Sequence, residues 1–297
     1  MTANIETTIK CNLNCYMCTQ RQLRAAPHCH DMSLAVFKRI LNEHDDITHV
    51  SFIGGEPFLN KDFFAMMDFL EKKGATYEIT TNGTLISQNF VSRLRKREGL
   101  KKINFSIDGL RTYHDKVRGK GVFEKCVHAL RLLKGYQPVS VCSVAVKANL
   151  KQLPLFSILL AQMGINKHKI IYPVSISKKA RQESKKMLPG LTIQGPLIKD
   201  MPKPRDILEL FRVLERLQGK LAMSFEFEPA VAQKKPFIFF DKKPSPPFTC
   251  KQIKQYRFDC RGRRIVCEFI RNDFKPELRD HLAQRLLPIC KWCCKLE

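Results

Sequence analysis

The chain has no apolar run near the roughly 18 residues that a bilayer-spanning helix needs, so no helix is expected to cross a membrane. Met1 leads directly into an alternating apolar stretch with no basic n-region, apolar h-region or small-residue cleavage site. By that pattern no secretory signal is expected, nor an oxidising compartment where disulfides would persist; a cytoplasmic location is expected. Acidic residues are scarce: 28 Asp and Glu stand against 52 Lys and Arg, a net charge of +24. Such a field attracts anionic and acidic partners generally. The basic clusters at Lys178-Lys179, Lys185-Lys186 and Arg261 to Arg264 have no interleaved aromatics and no groove-reading motif, so nucleic acid is not the expected partner. What is present is ordinary in bulk. With 297 residues and 44% apolar content the chain can bury a real core, as one large or two ordinary domains. Its 12 cysteines, in a reducing compartment, point to metal.

The densest group is Cys11-Asn12-Leu13-Asn14-Cys15-Tyr16-Met17-Cys18, with three and then two residues between cysteines. Four thiolates close the coordination of a [4Fe–4S] cluster, so a compact set of three leaves one iron for a ligand that is not protein. Zinc is the competing reading, but structural zinc is usually held by two cysteine or histidine pairs, and no second pair lies near. His28-Cys29-His30 has ligand chemistry at an undefined loop spacing and is left out of the cluster.

The first two-thirds of the chain alternates strand and helix patterns. Strands are expected at Ile5 to Lys10, His49 to Ile53, Thr76 to Thr81, Lys102 to Ile107, Val139 to Val146 and Lys169 to Pro173. Helical spacing relates Leu34, Phe37, Ile40 and Leu41 behind a Ser33 cap, then Phe64, Met67 and Leu70, then Phe90, Val91 and Leu94. It continues with Phe123, Val127, Leu130 and Leu133, and with Leu155, Ile158, Leu159 and Gln162. Repeated strand-then-helix units imply parallel strands with right-handed crossovers, an α/β fold of the partial (βα)6, TIM-like barrel type. Active sites of such barrels gather at the C-terminal strand ends. There the sequence places the cysteine loop, Gly54-Gly55-Glu56-Pro57, Thr81-Asn82-Gly83 and Ser106-Ile107-Asp108-Gly109. Gly54 and Gly55 allow a sharp turn and close backbone approach. Ser106 and Asp108 alternate onto one side of their strand, which for an internal strand points inward; Asp108 either caps the next helix or shapes a pocket.

The triad together with these strand-end signatures resembles the radical S-adenosylmethionine (SAM) enzymes. The resemblance implies that the open iron chelates the amino and carboxylate groups of SAM and that reductive cleavage yields a 5′-deoxyadenosyl radical, which abstracts hydrogen from a substrate. It implies that Gly54, Gly55 and Glu56 meet the methionine amino group, that Asn82 contacts the ribose or methionine moiety, and that Ser106 and Arg118 contact SAM. Arg118 closes Tyr113-His114-Asp115-Lys116-Val117-Arg118, similar to the His-Asp-x-x-Arg continuation of SPASM-type relatives. Met17 stands where those enzymes carry an aromatic residue packed near adenine, and its soft apolar side chain fills the same space.

Further on, Cys250, Gly262 and Cys267 form a Cys-x(11)-Gly-x(4)-Cys element, followed by Cys290, Cys293 and Cys294. It resembles the opening of SPASM and twitch domains, which implies an auxiliary iron–sulfur cluster held by Cys250, Cys267, Cys290 and Cys293. Cys294 could replace Cys293, and Cys260 could serve in another hairpin register; zinc is the competing metal here too. Cys126 and Cys142 read as core residues. The expected organisation is a barrel over 1–205, a linking helix, strand and linker over 206–249, and the auxiliary domain over 250–297.

The implied partners are a one-electron reductant such as flavodoxin or ferredoxin and a peptide or anionic small molecule. With no recognition domain before Cys11, a peptide maturase would use a separate precursor-recognition protein or bind directly. Two alternatives stay open: a dehydrogenase or decarboxylase of the same superfamily acting on an aminocyclitol or tetrapyrrole, and a basic cysteine-rich zinc protein that binds nucleic acid.

Overall fold

In the computed structural model, residues 1–24, 31–135, 139–230, 255–272, 275–284, 287 and 290 are described. Among the described residues every strand belongs to one parallel sheet of eight, in the order β7-β6-β5-β4-β3-β2-β1-β8. The strands are β1 (Thr2–Thr8), β2 (His49–Gly54), β3 (Thr76–Thr81), β4 (Leu100–Ser106), β5 (Val139–Val144), β6 (Lys167–Ile171), β7 (Ser224–Glu228) and β8 (Tyr256–Phe258). Between them run α1 (Arg21–Arg24), α2 (Leu34–Glu43), α3 (Phe63–Lys72), α4 (Gln88–Leu94), α5 (Arg111–Arg118), α6 (Val122–Leu132), α7 (Leu153–Gln162), α8 (Lys178–Met187) and α9 (Pro204–Gln218); α10 (Pro276–Gln284) comes last.

The sheet's two faces differ in chemistry. One carries Ile5, Phe52, Tyr77, Ile79, Phe105 and Val141, all fully buried. Phe37 of α2 stacks on Phe52 at 5.8 Å between centroids, and Phe63 of α3 meets the same ring edge-on at 4.9 Å, so this is the helix-covered side. The other face is polar. Ser51 donates to Glu78 at 2.8 Å, Lys102 on β4 reaches Glu226 on β7 at 3.6 Å, and Lys169 pairs with Glu228. A doubly wound sheet would be apolar on both faces. One apolar and one polar face mark helices wound on a single side, an incomplete barrel whose inner surface is hydrophilic.

Caps and periodicity explain most boundaries. Ser33 accepts from the Val36 amide at 3.3 Å and starts α2, whose Phe37, Ile40 and Leu41 are buried as spaced. On α7 the expected face is wrong: Leu155 is 60% exposed, while Leu153, Phe156 and Leu160 face inward. That helix is apolar nearly all round, so spacing alone does not choose its buried side. The helix and strand expected to link two domains are present, but they extend the barrel. Helix α9 buries Ile207, Leu210, Phe211 and Leu214, and strand β7 pairs with β6 as a seventh unit of the barrel sheet.

The C-terminal segment adds the eighth strand. β8 pairs in parallel with β1, Ala3 opposite Tyr256 and Ile5 opposite Phe258. A tight turn follows, in which Asp259 Oδ1 accepts from the Arg261 and Arg263 amides at 3.0 Å and Gly262 takes φ +76°. A Cβ on Gly262 would lie 2.5 Å from Val36 Cγ1, so the expected hairpin glycine also lets the turn seat on α2. Residues 192–194 and 269–271 run alongside each other, bridged at Ile193 and Ile270.

Candidate active site

The cysteine loop leaves β1 and is clamped from both sides. Thr8 donates its hydroxyl to Asp31 at 2.6 Å, and Lys10 pairs with the same carboxylate at 2.7 Å. On the other side the Gly55 amide donates to the Thr8 carbonyl at 2.7 Å and the Glu56 amide to the Lys10 carbonyl at 2.8 Å. A Cβ on Gly55 would stand 2.0 Å from the Lys10 oxygen, and one on Gly54, at φ +139°, 2.3 Å from the Thr8 oxygen. The close approach expected of these glycines is therefore made first by the protein's own cysteine loop.

Within the loop the Cys18 amide donates to the Cys15 carbonyl at 3.2 Å and the Leu13 amide approaches Cys11 Sγ at 3.4 Å. Cys15 is buried, Cys11 and Cys18 are half-buried, and none is in a disulfide. Burial raises the Cys11 and Cys15 thiols; for Cys11 the Leu13 amide and Arg24 oppose it, for Cys15 Arg118 does. The other two cysteines raise Cys15 further, which places the three sulfurs in one electrostatic neighbourhood. Among the described residues no three His, Cys, Asp or Glu converge on one point as a single ion would require. A cubane asks for something else: each thiolate binds a different iron, so the sulfurs stand apart at its corners. An all-sulfur set of three with no carboxylate or imidazole among them fits an iron–sulfur group with an open iron.

Glu56 and Asn82 extend this clamp. Glu56 is 0% exposed and accepts from the Asn82 amide at 2.7 Å, from Thr81 Oγ1 at 2.8 Å and, more weakly, from the Phe58 amide at 3.4 Å. Burial pushes its carboxyl up to about 7, against those donors. Asn82 Nδ2 donates to Asn12 Oδ1 at 2.9 Å and lies 3.8 Å from Cys11 Sγ. Of these two residues expected as cofactor contacts, Glu56 ties the end of β2 to the end of β3, and Asn82 ties β3 to the loop.

Ser106 ends β4 half-buried, paired in register with Cys142 of β5. Asp108 does not cap α5, whose N-cap is Leu110. Fully buried, it accepts from Arg118 Nε at 2.6 Å and from the Val144 amide at 3.0 Å. Burial works against the Arg118 charge, but Asp108 more than restores it, and the group is held above its ordinary value. Among the described residues only Nε is hydrogen-bonded, which leaves the terminal nitrogens of the guanidinium for a carboxylate. His114 behind this pair accepts from the Asp108 amide at 3.2 Å and stays neutral, its pKa pushed down by burial to about 4.

Met17 packs with Cys15, Tyr113, Val117, Val146 and Ile198. Tyr113 lies inside the Tyr113–Arg118 stretch, but its place in this cluster has no local signal. Val146 and the roof at 198–201 had none either, because a fold of separate segments brings them there: Ser175 holds Ile198 through two hydrogen bonds, and the Asp200 carbonyl accepts from the Lys147 amide at 2.9 Å.

In the C-terminal segment Cys267 is buried and Cys290 half-buried, both against one apolar cluster. Cys250, Cys293 and Cys294 lie outside the described residues, as do His28, Cys29 and His30. Cys260 sits elsewhere, its thiol pushed up to about 12 by burial and by the nearby charges of Asp259 and Glu6.

The model of the Radical SAM superfamily matches residues 5–149. Mycofactocin maturase MftC of Mycolicibacterium smegmatis is 29% identical over 164 residues, 54% of this chain and 41% of its own length. GTP 3′,8-cyclase of Desulforamulus reducens is 33% identical over 153 residues, 48% and 46% respectively. The chain thus spans less than half the length of these curated relatives. Among solved structures, Streptococcus suis SuiB bound to S-adenosylmethionine superposes with a TM-score of 0.71 at 16% identity, over 97% of this chain and 66% of that one. Native anSMEcpe with bound AdoMet gives 0.65 at 18% identity, over 99% and 81%. The likeness of fold reaches past the matched domain, and the reading of the loop as a zinc site falls with the family match. Residues 5–149, with their three-cysteine loop at the C-terminal end of the first strand, are a match to the Radical SAM superfamily.

Proposed function

We propose that this protein is a peptide-modifying radical SAM enzyme. Cys11, Cys15 and Cys18 hold a [4Fe–4S] cluster in this reading, and Arg118 and Ser106 receive SAM. The cluster and SAM together supply, after one-electron reduction, a 5′-deoxyadenosyl radical able to take hydrogen from an unactivated carbon. The protein's own contribution is placement. Gly54 to Glu56 and Asn82 fix the loop, Arg118 offers its unused fork to a carboxylate, and Met17, Val146 and Ile198 keep water from one flank of the pocket.

The observation that carries the reading is that Cys15 lies close enough to Arg118, Cys18 and Cys11 to feel the charge of each, with Arg118 itself balanced by Asp108. The substrate class draws on two supports. MftC is named as a maturase, and SuiB has been solved with a precursor peptide. The inner sheet face, with hydroxyls and charges of both signs, suits peptide groups. The net reaction is an oxidation or crosslink, with Cys250, Cys267, Cys290 and Cys293 holding an auxiliary cluster that accepts or relays electrons. A reductant such as flavodoxin or ferredoxin and, for a leader-bearing precursor, a separate recognition protein complete the system.

Anaerobic reconstitution with iron and sulfide, followed by SAM and dithionite, tests this. The wild type should form 5′-deoxyadenosine, Cys15→Ala should form none, and Cys267→Ala should bind less iron while still cleaving SAM. A wild type that releases no 5′-deoxyadenosine would sink the proposal.

A further inference from the structure

Helices that cover a barrel of parallel strands begin where the strands end, so the first turns of α7 and α9 stand at the same rim as the cysteine loop. Between them lies a groove of about 510 Å³, within the size range of ligand sites. Its floor is apolar, with Leu150 and Leu210 only 8% and 3% exposed. Its two walls carry opposite charge. Lys147 and Lys151 come from the segment after β5, and Asp206 and Glu209, three residues apart on one side of α9, face the groove with them. These charges do not neutralise one another. Asp206 meets Arg205 at 3.3 Å, and among the described residues Lys147, Lys151 and Glu209 have no charged partner.

The groove starts one residue from the cysteine loop's own surroundings. Val146 packs with Cys15 and Met17, while Lys147 lines the groove and donates its amide to the Asp200 carbonyl of the roof at 2.9 Å. The charge pattern selects the occupant. A polyanion such as nucleic acid would be drawn to the lysines but repelled by the two carboxylates on the facing wall. What fits is a molecule with an apolar group for the floor, a carboxylate toward Lys147 and Lys151, and a cation toward Asp206 and Glu209, an arrangement that fixes orientation as well as affinity. A polypeptide carries all three at regular spacing on one backbone. We infer that the groove between α7 and α9 docks a short stretch of the peptide substrate, outside its reacting residue, in which an apolar side chain separates an acidic from a basic one. This rests on the peptide-modifying reading and adds a specificity subsite to it.

The probe is a phage-displayed library of random dodecapeptides, selected anaerobically against the full-length, cluster-reconstituted protein; synthetic copies of the enriched sequences are then titrated by fluorescence anisotropy. Lys151 and Glu209 are exposed and make no contact the fold depends on, so Lys151→Glu and Glu209→Lys should fold as the wild type does. The enriched peptides should share an acidic and a basic residue flanking an apolar one. Each variant should bind them at least tenfold more weakly, tenfold being about 1.4 kcal/mol. Reversing the peptide's acidic residue to Lys should restore binding to Lys151→Glu and weaken it to the wild type, a rescue that general damage to the fold would not produce. No enrichment, or enriched peptides that bind both variants like the wild type, would overturn the assignment. Peptide-free 5′-deoxyadenosine formation is measured alongside and should be equal in all three proteins; a wild type that forms none would defeat the underlying reading, whatever the anisotropy shows.

Discussion

Arg118 can be buried and charged because Asp108 is buried with it, and the pair is oriented by the amide of Val144 and the neutral ring of His114. The guanidinium differs from an ammonium in being able to bond Asp108 through Nε while its two terminal nitrogens point elsewhere. Arg118→Lys keeps the charge but cannot do both. SAM affinity of the reconstituted enzyme should fall at least tenfold by equilibrium dialysis, with the far-ultraviolet spectrum preserved. Wild-type affinity in this variant would remove Arg118 from the cofactor site. Asp108 illustrates what residue type alone conceals. Its inward direction follows from strand alternation, but whether it caps a helix or balances a charge depends on a side chain ten positions away, which no local pattern fixes.

At the scale of elements, the strands and most helices were legible because each apolar stripe matches one period and caps such as Ser33 mark the starts. Two things were not. α7 is apolar on every side, so its spacing does not decide that Leu155 is outside and Phe156 inside. β7 alternates like any strand, but its place beside β6 rather than in a linker depends on long-range pairing that the segment does not encode locally. The Gly54-Gly55 turn was visible as a close-approach signal, and only the fold shows that the approaching backbone is Thr8 to Lys10. Gly55→Ala tests that role. With a Cβ 2.0 Å from a carbonyl oxygen that cannot move without shifting Cys11, the variant should retain less iron per chain after reconstitution, read by iron and sulfide analysis. Full iron content would mean that the loop can slide.

At the scale of the molecule, the C-terminal segment is joined to the barrel by charge as well as by a strand. Glu6, on the strand that leads to the cysteine loop, is fully buried and receives both terminal nitrogens of Arg271 at 2.8 Å; Arg257 lies at 3.3 Å and turns also to Glu268. Burial alone would raise the Glu6 carboxyl, but Arg271 and Arg257 outweigh it and hold it below its ordinary 4.5. The sign follows. Above pH 4.5 both folded and unfolded chains carry the charge and the full contribution is present; as pH falls, the unfolded chain takes up the proton first, and the contribution is lost as pH drops through the lower folded value. Glu6→Gln leaves two buried guanidinium groups short of a counter-charge. Removing one member of a buried ion network costs about 3–5 kcal/mol, so the variant should unfold at lower denaturant concentration at pH 7. Its stability should also decline less steeply than the wild type's below pH 4.5, since the titrating group is gone. Because Arg271 lies four residues beyond Cys267, the same substitution should disturb the distant cysteine region too, lowering iron content in the variant that still cleaves SAM. A Glu6→Gln protein with wild-type stability and the wild-type slope in acid would show that β8 and the apolar packing alone hold the two parts together.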